Sequence, residues 1–312
     1  MRFGVENMAS DRPITLEQHL ALSCSDKELA KLIDSFAYIA LDAQHNFPKY
    51  LRGTMGEKNK YGEAVAKLDE WVNGFLCDNL VKTGLVRKIY SEELSEPLLA
   101  HGKAPFVATL DPLDGSSNIV SNNSFGSIMG IYREDLPQNG RKLVAALYKL
   151  YGPVNTLVYT VGNGTHEFVK HYDSEGNAKF LLLAENMKIP QPGEVFGIGG
   201  DPLEWSPGFL KYAKDLFRKE KLKVRYSGTF VADFSQILHR GGLFAYPSTK
   251  KSPKGKLRLF YEAQPMAFIL ENAGGASWSG KCSLLDVEEK DVDARTPLYM
   301  GNAELVGKLK AL

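Results

Sequence analysis

A chain of 312 residues holds one large domain or two medium ones. At 44% hydrophobic and 24% charged, it has the composition of a globular protein with enough apolar material for a core. The formal net charge of +1 excludes a global nucleic-acid or membrane-surface footprint and leaves only local patches. Met1 to Ser10 lacks the apolar segment of a signal peptide, and no later stretch is long enough to span a bilayer. Residues 1–13 read as a mobile lead-in. Thr15-Leu16-Glu17-Gln18 has the form of a capping box and starts a short helix. Ser25-Asp26-Lys27-Glu28 repeats the signal. Behind it Leu29, Leu32, Ile33, Phe36, Ala37, Ala40 and Ala43 share one helical face, and Phe47-Pro48 should end the helix. Residues 51–62 are polar and contain three glycines, so a mobile loop is expected there. The next helix turns Val65, Leu68, Val72, Phe75 and Leu76 inward, with Glu63 and Asp69 at and just after its start.

Leu85 to Ser91 reads as a strand that runs into Glu92-Glu93. Pro105 to Leu110 is a stronger strand that runs into Asp111-Pro112-Leu113-Asp114-Gly115-Ser116-Ser117-Asn118. Pro112 fixes φ between the two aspartates and Gly115 permits a turn after them, so Asp111, the Leu113 carbonyl and Asp114 can aim at one point. Such oxygens suit Mg²⁺, and Ser116, Ser117 and Asn118 offer a floor for a phosphate. Taken alone, the same residues also make an Asp-rich turn and a helix cap. A meander of strands follows: Phe125 to Arg133, Leu143 to Leu150, Val154 to Val161, Thr165 to Tyr172 and Lys179 to Leu183. Pro190 to Gly193 is the candidate boundary between residues 1–190 and 191–312.

The second half alternates strand and helix and is therefore α/β. Strands are expected at Val195 to Ile198, Leu222 to Tyr226, Leu243 to Tyr246, Leu257 to Tyr261, and near Ser277 and Leu284. Helices start at Ser206-Pro207, Thr229 and Pro265, and one more closes the chain. Cys24, Cys77 and Cys282 are scattered, which fits a reducing compartment. The chain ends Lys310-Ala311-Leu312, not Ser-Lys-Leu, so the cytoplasm is expected; a trimmed tripeptide would point to a peroxisome-like organelle. The six histidines His19, His45, His101, His166, His171 and His239 show no metal-ligand spacing and read as structural or surface residues.

Two constellations carry chemistry. Glu63, Asp69, Glu92, Glu93, Asp111, Asp114 and Glu262 form an acid set. If the topology gathers them, they cannot all stay ionised without a counter-cation, and a metal-dependent phosphate-ester hydrolase follows. Arg225, Lys250, Lys251, Lys254, Lys256 and Arg258, interleaved with Tyr226 and Tyr246, read as one anion-binding subsite. Lys250, Lys251 and Lys254 fit a solvated loop equally well.

Lys67-Leu68-Asp69, Ser91-Glu92-Glu93, Asp111 to Asn118, Arg225-Tyr226-x-Gly228 and the block from Tyr246-Pro247 to Tyr261-Glu262 resemble class I fructose-1,6-bisphosphatase, from about Glu28 to the C-terminus. The resemblance implies the layered α/β (α+β) sugar-phosphatase fold, with a first domain carrying the metal loops and an AMP-regulatory region and a second holding the 6-phosphate. It implies removal of the 1-phosphate of fructose 1,6-bisphosphate in gluconeogenesis by a homotetramer, with Mg²⁺ as cofactor and Mn²⁺ as substitute. In that pattern Glu63, Glu92, Asp111, the Leu113 carbonyl, Asp114 and Glu262 bind metal, and Asp69 and Glu93 take the proton from the attacking water. Asp114, Gly115, Ser116 and Ser117 hold the sugar and the 1-phosphoryl end. Tyr226, Tyr246, Lys256 and Arg258 hold the 6-phosphate side, with Arg225 reaching from a neighbouring subunit. Departures are Glu63 where the family has Asp, Gly199 and Pro202 where it has Asn and Tyr, and Ala30 and Pro105-Phe106 where its animal AMP site has Thr and Lys-Tyr; Arg133 matches. The alternatives are a sedoheptulose-1,7-bisphosphatase or other Li⁺-sensitive phosphatase, and a catalytically silent sugar-phosphate sensor.

Overall fold

The computed structural model describes residues 13–51 and 58–310; the side chains of residues 51, 58–66 and 120 lie outside that description. Helix α1 (Leu16–Ser23) opens on the expected capping box: Gln18 N–H donates to the Thr15 hydroxyl at 3.3 Å and Thr15 N–H to the Gln18 side chain at 3.0 Å. The Asp26 carboxylate accepts Glu28 N–H at 3.0 Å and Leu29 N–H at 3.1 Å ahead of α2 (Lys27–Leu51). The α2 stripe from Leu29 to Ala43 is buried throughout. This helix does not stop at Phe47-Pro48. Pro48 sits in its last turn, where it forfeits one N–H bond to the preceding turn, and buried Phe47, packed at 5.5 Å from Phe125 and 5.2 Å from Tyr151, offsets that loss. Helix α3 (Lys58–Lys82) begins inside the stretch expected to be a loop. Glu63 and Asp69 therefore lie within the helix, and the Glu63 side chain falls outside the described residues.

The first sheet has eight strands in the order β2-β1-β3-β4-β5-β6-β7-β8. They are β1 (Val86–Ser91), β2 (Leu98–Leu99), β3 (Phe106–Asp114), β4 (Phe125–Tyr132), β5 (Leu143–Tyr151), β6 (Asn155–Thr160), β7 (Thr165–Tyr172) and β8 (Ala178–Ala184). Among the described residues, only β1 and β3 run parallel in it. All of β3 is buried, because helices cover both faces of the sheet; this is why its sequence reads as a continuous apolar run.

The second half contributes β9 (Val195–Ile198), α4 (Pro207–Arg218), β10 (Lys223–Val224), α5 (Phe230–Arg240), β11 (Gly242–Tyr246), β12 (Leu257–Arg258), α6 (Gln264–Asn272), β13 (Ala276–Trp278), β14 (Arg295–Thr296), β15 (Leu298–Gly301) and α7 (Ala303–Leu309). Its sheet runs β10-β9-β11-β15-β13. Helices α5 and α6 are sandwiched between the two sheets, and α4 and α7 cover the far face, giving five alternating layers. Three expected strands are shorter or absent. Leu222 to Tyr226 pairs over two residues only. Leu284 lies in a 3₁₀ turn capped by Ser283. The strand at Leu257 ends after Arg258, where residues Leu259–Ala263 wind a π-turn into α6. Strands β14 and β15 have no counterpart in the sequence reading. No described helix is long and apolar enough to cross a membrane.

Lys149 on β5 is fully buried, with no carboxylate partner among the described residues. Its ammonium donates to the Thr156 carbonyl at 3.3 Å and lies 4.6 Å from the Phe180 ring centroid. Burial pushes its pKa well down. Lys149→Met is expected to stabilise the fold by about 1–2 kcal/mol, read as a higher urea midpoint at unchanged m-value.

Candidate active site

The acids meet because β1 and β3 are parallel neighbours. Ser91 pairs with Leu110, and Glu92 N–H donates to the Leu110 carbonyl at 3.0 Å, so Glu92-Glu93 and Asp111 leave the same sheet edge. The ladder with β4 is irregular between Asp111 and Asp114, and Pro112 sits in the gap. The Ser127 hydroxyl holds the Pro112 carbonyl at 2.7 Å, and Leu113 N–H donates to Asp111 Oδ1 at 3.1 Å. Asp114 Oδ2 accepts Val231 N–H at 2.7 Å from the first turn of α5. Gly115 has φ +77°, and a Cβ there would lie 1.9 Å from Thr229 Cγ2, so backbone conformation and space both demand glycine.

Helix α3 is locked to the strand end by the Ser91 hydroxyl, which donates to Asn73 Oδ1 at 2.7 Å. Asp69 lies one turn before Asn73 on the same face, near the Ser116 hydroxyl, which favours its charged form. The π-turn brings Glu262 to the rim, where its Oε2 accepts Arg258 N–H at 2.6 Å. Oxygens of Glu92, Asp111 and Glu262 lie within 4.8 Å of one another. Asp69, Glu92, Glu93, Asp111, Leu113, Asp114, Gly115, Ser116, Ser117, Tyr246, Lys256 and Glu262 all border one cavity of about 280 Å³.

Burial dominates the electrostatics. It pushes Asp111 and Glu262 well above the usual carboxylate range, and the neighbouring acids Asp114 and Glu92 push them further. Asp114 is raised to about 7, chiefly by burial, against the opposing N–H groups of Val231 and Phe230. Burial also carries Asp69 to about 7, helped by Glu93 and Glu92 and resisted by Ser116. Glu93 moves up for the same reasons, with Arg258 opposing. Oxygen-only donors, three of them buried carboxylates, fit a hard divalent cation.

At the far end the Tyr226 and Tyr246 hydroxyls meet at 2.6 Å, and Lys256 Nζ lies 5.3 Å from the Tyr246 ring centroid. The sequence reading placed Gly199 where its family has Asn. A Cβ at 199 would lie 2.1 Å from the Tyr246 ring, so the ring rests directly on the chain and occupies that side-chain space. Pro202 starts a 3₁₀ turn capped by Asp201. Two residues assigned to substrate point elsewhere within the chain. Arg258 donates to Glu92 Oε1 at 3.3 Å and to the Asp293 carbonyl at 2.8 Å, so it steadies a rim acid. Arg225 is exposed and, among the described residues, its guanidinium bonds only the Val224 carbonyl, at 2.9 Å. The sequence reading missed Arg295, which borders the cavity from β14 and draws Glu262 down. Its pairing with β12, Arg258 opposite Arg295, is a long-range contact with no local pattern.

Residues 15–185 match the model of the fructose-1-6-bisphosphatase N-terminal domain, and residues 189–312 that of its C-terminal domain. The chain is 40% identical over 298 residues to the class 1 fructose-1,6-bisphosphatase of Methanocorpusculum labreanum, covering 96% of this chain and 91% of that protein. It is 40% identical over 273 residues to that of Nostoc punctiforme, covering 83% and 77%. The crystal structure of Leishmania major fructose-1,6-bisphosphatase in holo form superimposes with a TM-score of 0.85 at 30% identity, covering 96% of this chain and 99% of that one.

Proposed function

The chain belongs to the fructose-1,6-bisphosphatase family, and from that premise we propose how its own residues perform the reaction. It hydrolyses fructose 1,6-bisphosphate to fructose 6-phosphate and phosphate. The observation that carries the assignment of roles is one cavity with buried acids at one end and Tyr246 and Lys256 at the other. Glu92, Asp111, the Leu113 carbonyl, Asp114 and Glu262 would hold Mg²⁺, or Mn²⁺ in its place; Glu63 joins them as a proposed ligand. The metal when bound supplies positive charge to the phosphoryl oxygens and makes a coordinated water more acidic.

Glu93 and Asp69 would take the proton from the attacking water. Asp69 suits the task because its Oδ1 is buried and has no hydrogen-bond partner among the described residues. Gly115, Ser116 and Ser117 seat the phosphate that leaves, with Asp114 fixed behind them by Val231. Tyr226, Tyr246 and Lys256 grip the phosphate that stays, so the sugar is held at both ends. Arg258 acts on this site through Glu92. Arg225, exposed and free of acidic partners among the described residues, is proposed to complete the distal subsite of a neighbouring subunit in a homotetramer. We propose weak or no AMP inhibition. Arg133 already pairs with Asp26 and lies 5.3 Å from the Phe106 ring, and Ala30 offers no hydroxyl. Division into domains near residue 190 is supported by the meeting of the two family models between 185 and 189. Unpaired thiols at Cys24, Cys77 and Cys282 support a cytoplasmic setting.

Steady-state kinetics with Mg²⁺ test the substrate. The value of kcat/KM is expected to be highest for fructose 1,6-bisphosphate, lower for sedoheptulose 1,7-bisphosphate and negligible for inositol 1-phosphate. Absence of phosphate release from the first would overturn the reading. Light scattering on the same sample checks the tetramer.

A further inference from the structure

Far from the acid rim in sequence, two buried histidines meet between α1 and one face of the first sheet. His19 on α1 is 3% exposed and His166 on β7 is 2% exposed. Their rings lie 4.4 Å apart, and the Nε2 atoms of both are buried with no hydrogen-bond partner among the described residues. Glu185, just after β8, brings its Oε1 to 3.6 Å from His19 Nε2. The three donor atoms lie within 4.8 Å of one another.

We propose that His19 Nε2, His166 Nε2 and the Glu185 carboxylate form a second metal site, for Zn²⁺ or a similar first-row divalent cation, that pins α1 to the edge of the first sheet. An unpaired buried polar atom is costly, and two facing each other need a common partner. A water fits that description, but two imidazole nitrogens with one carboxylate are a zinc donor set that leaves the fourth position for water. His19 is already oriented for the task. Its Nδ1 meets the Tyr159 hydroxyl at 2.6 Å, which lies 2.9 Å from the Ser23 hydroxyl, and Ser23 donates to the His19 carbonyl at 2.8 Å. That relay places the proton on His19 Nδ1 and leaves a lone pair on Nε2. On the other ring, Asn186 N–H approaches His166 Nδ1 at 3.3 Å. Ligation through Nε2 moves the His166 proton to Nδ1, so this long contact is the one that gives way. Burial lowers His19 and takes His166 to about 4, so both rings are neutral at physiological pH. A tetrahedral zinc site needs donors about 3.3 Å apart. Glu185, with 58% of its side chain exposed, has the freedom to close the gap.

The test uses the full chain, stripped with EDTA and then titrated with Zn²⁺ in saturating Mg²⁺. No histidine borders the acid-rim cavity among the described residues, so X-ray absorption at the zinc edge separates the two sites. Wild type is expected to bind one Zn²⁺ per chain with two imidazole ligands and to melt at higher temperature with it. Glu185→Gln, an exposed change that leaves the core intact, is expected to weaken this site by about 10–100-fold. His166→Gln is expected to abolish the imidazole signal. A spectrum without imidazole ligands, or a Glu185→Gln chain that holds the imidazole-bound Zn²⁺ as tightly as wild type, overturns the proposal.

Discussion

Glu93→Gln is expected to lower kcat by about 10²–10⁴-fold, the usual worth of a positioned general base, while KM for fructose 1,6-bisphosphate changes little. Gln keeps the size and the hydrogen-bonding reach of Glu but cannot take a proton at neutral pH. Glu93 leaves β1 at the rim, its N–H near the Ser91 hydroxyl at 3.4 Å, so the backbone that positions it survives the change. The grip on both phosphates is assigned to other residues, which separates its effect on turnover from binding. Burial and Glu92 raise its pKa, so the acid limb of kcat against pH should be displaced upward from the ordinary glutamate range. In Glu93→Gln that limb should shift or vanish along with the rate. A variant with near-normal kcat and an unchanged limb would remove Glu93 from the reaction and leave Asp69 as the base.

Asp111→Asn should act in opposite directions on activity and on the metal-free fold. Removing one buried donor charge from the rim is expected to cost about 10³-fold in kcat/KM, comparable to losing a main electrostatic stabiliser. The metal-free protein should instead become more stable by about 1–3 kcal/mol, since a buried carboxylate among Asp114, Glu92 and Glu262 is destabilising without a cation. The sign with pH follows from the same cause. Asp111 and Glu262 have folded pKa values above their unfolded ones, so the folded state holds protons more tightly than the unfolded chain. Their stabilising contribution is present below the ordinary carboxylate range and is lost as pH rises through the raised folded values. Mg²⁺ should therefore raise the melting temperature strongly at about pH 7.5 and weakly at about pH 5. Equal Mg²⁺ stabilisation at both, or in Asp111→Asn and wild type, would contradict this account of the rim.

Much of this was legible in the chain because the signals are local. The α1 capping box, the apolar stripe of α2 and the Asp111–Asn118 turn each depend on residues within a few positions of one another. Even the meeting of Glu92 with Asp111 needed only the idea that two apolar strands in succession are neighbours. What escaped was decided by distant packing. Helix α2 runs past Pro48 because Phe47 finds Phe125 and Tyr151. The π-turn at Leu259–Ala263 has the composition of a strand, and it bends because Glu262 bonds back to Arg258 N–H. Arg295 carries no pattern of its own until β14 lies beside β12. His19 and His166 are 147 positions apart by their numbers, beyond any ligand spacing that a sequence scan would test.

The one parallel pair among the described strands of the first sheet has a consequence for how the enzyme can vary. Strand direction acts as an address. Were β1 reversed against β3, Glu92 and Glu93 would sit at the opposite end of β1, six residues long, about 20 Å from Asp111. Delivery to one edge requires the chain to travel back between the two strands, which it does between Ser91 and Phe106, with β2 pairing antiparallel to β1 at the outer edge of the sheet. Lengthening that return path costs little entropy and leaves both strand ends where they are. One residue added within β3 would turn Asp111 to the opposite face of the sheet. Natural variation should therefore collect in the return path and be nearly absent from β3.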